Sequence, residues 1–178
     1  MTVIEKIIGY ASWYHGQKEK RGPKGEQNQG FLDPAFEKEM KTTGWYPSGA
    51  WCMFFVILIW KKVFKDDAIA LASILKTFNG SAKQTADRVI KEGYWETGHL
   101  PEPGAIAIFL NGKGPFGHAA IVKRSDFKNN TMWNVEANTN GEGSREGELV
   151  NANKPRTIKR AYTPTGLNIY IYIYPRKK

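Results

Sequence analysis

The stretch Gly49-Ala-Trp-Cys-Met-Phe-Phe-Val-Ile-Leu-Ile-Trp60 holds the only cysteine of the 178-residue chain and its longest apolar run. The run ends at Lys61-Lys62, well short of the roughly 18 apolar residues that span a bilayer. A segment that is apolar on every side is typical of a helix surrounded by protein. Because Pro47-Ser48-Gly49 is turn-forming sequence, we predict a buried central helix with Cys52 in its first turn.

The position of Cys52 at a helix start favours an ionised thiol. The unpaired amides and positive dipole end of a helix N-terminus stabilise an anion. Such surroundings can lower the pKa of a cysteine from about 8.5 to roughly 3.5–7.5. A lone cysteine is also commonly an inert, buried side chain, so the interpretation of Cys52 as a nucleophile depends on partners elsewhere in the sequence.

Length and cysteine content bound the architecture. A chain of 178 residues can bury about 70% of its unfolded surface without disulfides, so residues 1–178 are predicted to form a single domain, and we expect a monomer. With one cysteine no intrachain disulfide can form. The N-terminus has an early acidic residue and no cleavage-site pattern. We therefore expect no signal peptide and no transmembrane segment, so that any export relies on outside help.

The chain is strongly basic, with a formal net charge of +9 and a pI of about 9.6. Such a charge favours polyanionic partners, including anionic envelope polymers and lipopolysaccharide. No zinc-finger spacing, P-loop or RNA-binding motif accompanies it, so nucleic acid is not an expected partner. The basic residues gather in three places: Lys18-Glu19-Lys20-Arg21 with Lys24, Lys154 to Arg160, and Arg176-Lys177-Lys178.

Hydrophobic periodicity divides the chain into helices followed by strands. Helical spacing and capping residues predict helices over 3–14, from 34 to near 44, from 52 onward, after Asp66-Asp67 through 75, and from 81 to Gly93. Extended patterns predict strands over 105–110, 118–124, 131–136 and 169–174, with exposed loops over 15–29 and 138–148. This order indicates an α+β fold in which the Cys52 helix packs on an antiparallel sheet.

The predicted strands carry the partners that a nucleophilic thiol needs, a base and a polar group that orients the base. His118 follows Gly117 at the start of one strand, and Glu136 lies near the end of the next. Asn138 shares the face of Glu136 if the extended geometry continues. If the two strands pair, these side chains become neighbours, and we predict a Cys52–His118 pair oriented by Glu136 or Asn138.

Other polar and aromatic residues have weaker assignments. Trp45, Tyr46 and Trp51 lie close to Cys52 in sequence and are candidates for substrate binding, although Trp45 and Tyr46 can equally belong to the core. His15 and His99 lie in predicted loops. Three scattered histidines and one cysteine show no zinc-ligand spacing. We predict no metal site, and the thiol chemistry needs no cofactor.

Taken together, these segments resemble the CHAP group of cysteine amidohydrolases and peptidases, within the papain-like NlpC/P60 superfamily. The upstream segment from Gln27 and the glycine-rich segment after Asn138 further resemble phage lysins from Bacteroides-type bacteria. The segments that carry the resemblance are Trp51-Cys52, Pro103-Gly-Ala-Ile-Ala-Ile-Phe109, Gly117-His-Ala-Ala-Ile-Val122 and Val135-Glu-Ala-Asn-Thr139.

The resemblance implies a papain-like fold and hydrolysis of peptidoglycan amide bonds by a muramoyl-alanine amidase or a peptide endopeptidase. It implies Cys52 as nucleophile, His118 as base, Glu136 as orienting residue and Asn138 as a further polar group. Two departures from the pattern are Met53-Phe54 after the cysteine and Ala137 between Glu136 and Asn138. The protein would then be a phage endolysin made in the host cytoplasm and released to the periplasm and wall through a holin-type pore.

Three alternatives keep the same scaffold. A secreted antibacterial effector would have the same sequence features. A non-catalytic module, its groove blocked by Met53 and Phe54, would bind wall fragments or another polyanion, and slow alkylation of Cys52 by iodoacetamide would favour it. A cytosolic deamidase or acyltransferase would use Cys52 on a different substrate.

Overall fold

The computed structural model describes residues 1–139 and 147–177. Five α-helices precede all the strands in this part of the chain, as the periodicity predicts. They are α1 (Val3–Trp13), α2 (Pro34–Lys41), α3 (Cys52–Val63), α4 (Ala68–Thr77) and α5 (Ala82–Glu92).

Four of the five helices begin at a side-chain cap. The hydroxyl of Thr2 accepts from the Glu5 amide in a capping box, and the carboxylate of Asp33 accepts from the first amides of α2. Asp67 and Ser81 cap α4 and α5 in the same way. Such caps satisfy amides that have no partner within the helix. Helix α3 is the exception, because it begins without a side-chain cap.

The strands of the described residues form one antiparallel sheet in the order β1-β6-β2-β3-β4-β5. Strands β2, β3, β4 and β5 pair consecutively in chain order, and the last strand, β6, lies between β1 and β2. The strands are β1 (Trp95–Gly98), β2 (Ile106–Asn111), β3 (Gly117–Asp126), β4 (Thr131–Thr139), β5 (Leu149–Thr157) and β6 (Leu167–Lys177).

Helix α3 is the centre of the larger hydrophobic core. Every residue from Cys52 to Trp60 is buried, and the helix packs against β3 and β4 on one side and against α1, α2 and α4 on the others. A smaller cluster around Phe109, Met132 and Tyr172 covers the opposite face of the sheet. The predicted α+β, papain-like architecture with the cysteine helix on an antiparallel sheet is therefore confirmed.

Two strands were not predicted from the sequence. Strand β1 has four residues and pairs only with β6 at the edge of the sheet. Strand β5 reads Leu-Val-Asn-Ala-Asn-Lys-Pro-Arg-Thr and is the opposite edge. Edge strands tolerate proline and charged residues, so β5 lacks the apolar alternation that marks the inner strands.

The exposed loop predicted over residues 15–29 is more structured than expected. Lys18 bridges to Leu149 of β5 and Glu19 bridges to Phe31, and the side chain of Glu19 is buried. The segment is thus attached to the edge of the sheet at Lys18, while most of its residues are exposed, as predicted. Of the loop predicted over 138–148, residues 140–146 lie outside the described residues, while Asn138 and Thr139 belong to β4.

Within the described ranges no helix has both the length and the apolar character needed to cross a membrane. The most apolar helix, α3, has 12 residues.

Candidate active site

Pairing between β3 and β4 brings His118 and Glu136 together. Ala120 lies opposite Glu136 in the ladder, so His118, two residues away on the same face of β3, is its diagonal neighbour. Both side chains are fully buried, and His118 Nε2 lies 3.0 Å from Glu136 Oε2. The structure therefore places a buried carboxylate where it orients the imidazole.

Glu136 is held by two further side chains. Arg156 of β5 donates from Nε to Oε1 over 2.9 Å and from Nη2 to Oε2 over 2.6 Å. Asn134 Nδ2 donates to Oε1 over 3.1 Å. Sequence reasoning missed both residues. The two-residue spacing of Asn134 and Glu136 places them on one face of a strand and is a signal that would have found Asn134.

These contacts set the charges of the pair. Burial raises the pKa of Glu136, but the hydrogen bonds and charges of Arg156 and His118 outweigh it and keep the carboxylate ionised. Burial also lowers the pKa of His118, whereas the hydrogen bonds and charges of Cys52 and Glu136 raise it to about 9. At neutral pH the imidazole is therefore an imidazolium.

Cys52 is the first residue of α3 and is 5% exposed. Burial raises the pKa of its thiol, but the hydrogen bond and charge of His118, with the backbone amides of Ala119 and Met53, bring the pKa below its ordinary value. The Met53 amide is available because the amides of a first helical turn have no partner within the helix. The uncapped start of α3 thus stabilises the thiolate.

The orientation of the imidazole leaves one ring nitrogen for the thiol. His118 Nε2 is engaged by Glu136, while Nδ1 is buried and is not used by Glu136. Nδ1 is therefore the nitrogen available to exchange a proton with Cys52 or with a substrate atom bound beside it.

Cys52 opens into a groove of about 530 Å³. Six neutral polar side chains line the described part of its wall, and Asn138 is among them. The lining residues are Gln27, Asn28, Ser48, Ala50, Cys52, Gly80, Ser81, Ala82, Gln84, Pro115, Phe116, Gly117 and Asn138.

Asn138 reaches this groove by a different backbone path from the one predicted. Its φ of 55° is in the left-handed region, and the β4–β5 register shifts between Glu136 and Thr139. The extended geometry is therefore interrupted at Asn138, within β4. Asparagine tolerates this conformation better than most residues, and the bend turns Asn138 toward the Cys52 groove while Glu136 stays under His118.

A family model described as the CHAP domain matches residues 42–138, more than half of the chain. The chain belongs to the CHAP domain family. CHAP domains are generally hydrolases, and membership indicates amidase or peptidase chemistry on peptidoglycan. The comparisons with curated proteins and with solved structures found no match. The matched range includes Cys52, His118, Glu136 and Asn138, whereas Arg156 lies beyond it.

Two of the three aromatic residues predicted to bind substrate are core residues of this CHAP domain. Trp51 is fully buried and Trp45 is 3% exposed. Their indole nitrogens donate to Glu19 Oε2 and to the Gly49 carbonyl, and neither ring lines the groove. Large apolar rings beside a buried helix tend to pack in the core. The sequence pattern alone does not distinguish such a core position from a groove wall. Tyr46 is 62% exposed, and its role in binding stays a prediction.

Met53 and Phe54, the departures from the family pattern, do not line the groove. Met53 is fully buried and Phe54 is nearly so. The Phe54 ring packs toward Gly80, where an added Cβ would lie 2.4 Å from it. Both side chains belong to the hydrophobic core, so the blocked groove of the non-catalytic alternative has no support from their positions.

His15 and His99 are exposed, as predicted for loop residues. Among residues 1–139 and 147–177, no group of three or more His, Cys, Asp or Glu side chains is arranged to hold a metal ion.

Proposed function

We propose that this CHAP domain is a cysteine peptidoglycan hydrolase that cleaves amide bonds, as an N-acetylmuramoyl-L-alanine amidase or as a peptide endopeptidase. The observation that carries the proposal is a thiol with a lowered pKa in an open groove, next to a buried His118–Glu136 pair. Ionised thiols are the reactive form of cysteine nucleophiles, and family membership supplies the substrate class.

In the first half of the reaction the Cys52 thiolate attacks the carbonyl carbon of the amide. A C–S bond forms, and the carbonyl π electrons move to oxygen. When the tetrahedral intermediate collapses, the C–N bond breaks and the His118 imidazolium gives its proton to the departing amine. The products are a thioester on Cys52 and a free amine.

In the second half a water molecule attacks the thioester while neutral His118 takes its proton. The C–S bond then breaks, which releases the carboxylic acid and restores the thiolate beside an imidazolium. Throughout both steps Glu136 accepts from Nε2, so the imidazole keeps Nδ1 directed toward the reacting atoms.

Charge that develops on the carbonyl oxygen needs fixed donors. The unpaired amides of the first turn of α3 supply one, since the amides of Cys52 and Met53 have no acceptor within the helix. The side-chain amides of Gln27 and Asn138 line the same groove. We propose that one of these two side chains supplies the second donor.

The test is mass spectrometry of soluble products from purified Gram-negative sacculi, with wild type beside Cys52→Ala. Muropeptides released only by the wild type are the expected result. Their new termini identify the bond, because an amidase frees the lactyl carboxylate and the L-alanine amine, while an endopeptidase cuts within the peptide. Release that is equal in both proteins, or absent from both, would contradict the proposal.

For delivery we propose the endolysin route, in which protein made in the host cytoplasm reaches the wall through a holin-type pore. Cytoplasmic expression alone should then leave the culture turbid, and permeabilising the inner membrane should lyse it. Lysis without permeabilisation would count against this route. Neighbouring phage lysis genes would support an endolysin, and a neighbouring immunity gene would support the secreted effector.

We further propose that only part of the basic surface contacts an anionic envelope. Several bases of the predicted clusters are already paired with acids: Lys18 and Arg21 with Glu148, Arg176 with Glu96 and Glu102, and Lys177 with Asp67.

Lys159 and Arg160 are better candidates, because they are exposed and line a groove of about 340 Å³ with Phe127 and Tyr162. The double variant Lys159→Glu/Arg160→Glu should bind sacculi and outer-membrane vesicles more weakly at low salt. Added salt should remove the difference between variant and wild type. Lys65→Glu, a charge change on another exposed lysine, is the control, and equal loss in the control would contradict the assignment.

A further inference from the structure

Arg156 lies outside the range matched by the family model, yet it makes the most extensive contact with the orienting carboxylate. Its Nε and Nη2 atoms bind the two oxygens of Glu136 over 2.9 and 2.6 Å. The Arg156 side chain is 14% exposed, and that of Glu136 is fully buried. A bidentate guanidinium–carboxylate pair fixes the orientation of both partners.

The two carboxylate oxygens of Glu136 together accept four hydrogen bonds. Oε2 accepts from both Arg156 Nη2 and His118 Nε2, and Oε1 accepts from Arg156 Nε and Asn134 Nδ2. Among the residues that the structure describes, the charged groups around His118 are Cys52 of α3 and Glu136 of β4, with Arg156 of β5 in contact with Glu136. One thiolate and one carboxylate are balanced by one imidazolium and one guanidinium.

Phe109 of β2 completes the arrangement. Arg156 Cζ lies 5.6 Å from the centroid of the Phe109 ring, and the same ring lies 6.1 Å from the imidazole of His118. A guanidinium near an aromatic face gains a cation–π attraction. The Phe109 ring and the Glu136 carboxylate thus both hold the Arg156 side chain, which makes it a fixed part of the site.

We propose that Arg156 is a positioning residue that fixes Glu136 and sets the pH range over which the Cys52–His118 ion pair exists. Without the guanidinium, two anions would surround one imidazolium. The imidazolium would then keep its proton to higher pH. The thiol, which loses a nearby positive charge, would also ionise only at higher pH. Both limits of the ion pair therefore move in the alkaline direction.

The experiment is the pH profile of Cys52 alkylation by iodoacetamide, measured on the full chain. Its acid limb is the rise in rate as the thiol ionises, and its alkaline limb is the further change in rate as His118 loses its proton. In Arg156→Met both limbs should move up by on the order of one pH unit. Arg156→Lys keeps the charge and should leave the limbs in place, while the rate of wall cleavage falls because the second hydrogen bond is lost. Arg176→Met, which breaks a surface pair with Glu96 and Glu102, is the matched control and should change neither.

A second background separates positioning from a general effect on folding. In Glu136→Gln the carboxylate that Arg156 positions is absent and only the direct effect of the guanidinium charge remains, so adding Arg156→Met should cause a smaller further shift of the limbs. Unchanged limbs in folded Arg156→Met, or the same shift with and without Glu136, would overturn the inference. If Arg156→Met does not fold, Arg156→Lys decides: limbs that move although the charge is kept, or wall cleavage at the wild-type rate, would overturn the inference.

The inference rests on the proposed thiol chemistry but not on the wall substrate, because alkylation needs no peptidoglycan. Shifted limbs without sacculus cleavage would support Arg156 and contradict the proposed hydrolase. Sacculus cleavage together with limbs that do not move in Arg156→Met would support the hydrolase and contradict the role of Arg156.

Discussion

His118 Nε2 lies 3.0 Å from Glu136 Oε2, and both side chains are excluded from solvent. This contact selects the ring nitrogen that remains for Cys52 and places a fixed negative charge behind the imidazole. Because both side chains are buried, the charge of Glu136 acts strongly on the proton of His118. The pH behaviour of the site follows from this contact.

The wild-type activity should fall as the pH rises through about 9, where the raised pKa of His118 lies. Below that pH the imidazole is protonated and stabilises the thiolate, and above it the proton is lost. The activity should also fall in acid, as the thiolate takes a proton at the lowered pKa of Cys52. Initial rates of sacculus cleavage from about pH 4 to about pH 11 measure both limbs, because this range extends beyond the ordinary pKa values of histidine and cysteine on both sides. An alkaline limb near the ordinary histidine pKa of about 6.5 would contradict the pairing.

Glu136→Gln keeps the shape of the side chain but removes its charge. The pKa of His118 should then fall, since the charge and hydrogen bond of Glu136 contribute to raising it. The alkaline limb should move down by roughly one to three pH units, the usual effect of a nearby opposite charge. NMR titration of the imidazole carbons gives the pKa directly. Asp67→Asn, which removes the exposed pair with Lys177, should leave the titration unchanged.

The parts of this site that could be predicted are those encoded by local pattern. Cys52 lies at the start of an apolar run, and His118 and Glu136 lie on two strands whose alternation is visible in sequence. Adjacent strands in the chain commonly pair, so the proximity of the two side chains followed. The structure adds the diagonal register that brings their polar atoms into contact.

Arg156 and the tryptophans could not be assigned because their surroundings depend on distant parts of the chain. Arg156 lies on an edge strand without apolar alternation, where a basic residue indicates a solvated surface. Trp51 is buried, and its indole nitrogen donates a hydrogen bond to Glu19, 32 positions earlier. No local pattern encodes such contacts, and the same composition suits a groove wall or a core.

Gly117→Ala should damage the site through the backbone. A Cβ at Gly117 would lie 2.4 Å from the Phe109 carbonyl oxygen, so β3 must shift at the residue before His118. We expect a loss of stability of about 1–3 kcal/mol, typical of overpacking, together with slower alkylation of Cys52. Urea denaturation and iodoacetamide kinetics measure the two effects.

The matched control for this substitution is Gly9→Ala. Gly9 lies within α1 and has nothing within 4 Å of an added Cβ. Alanine is the better helix former by roughly 0.5–1 kcal/mol, so the control should be slightly stabilising and leave alkylation unchanged. A tolerated Gly117→Ala, with both measurements at wild-type values, would contradict the close approach of β2 and β3.

Trp51→Phe separates a structural role for this tryptophan from substrate binding. The substitution removes the indole N–H that donates to buried Glu19 over 3.1 Å. Burial already raises the pKa of Glu19, and the Trp51 hydrogen bond opposes that rise, so the carboxylate would lose a donor that keeps it ionised. We expect the free energy of unfolding to fall by about 1–3 kcal/mol, the usual effect of leaving a buried polar group without its partner.

The kinetic readout decides between the two roles. Because the Trp51 ring is fully buried and does not line the Cys52 groove, KM for soluble muropeptides should stay at the wild-type value in the folded variant. Trp13→Phe, at a side chain that is 83% exposed, is the control and should change stability by less than about 0.5 kcal/mol. A raised KM in Trp51→Phe with unchanged stability would instead support a role for Trp51 in substrate binding.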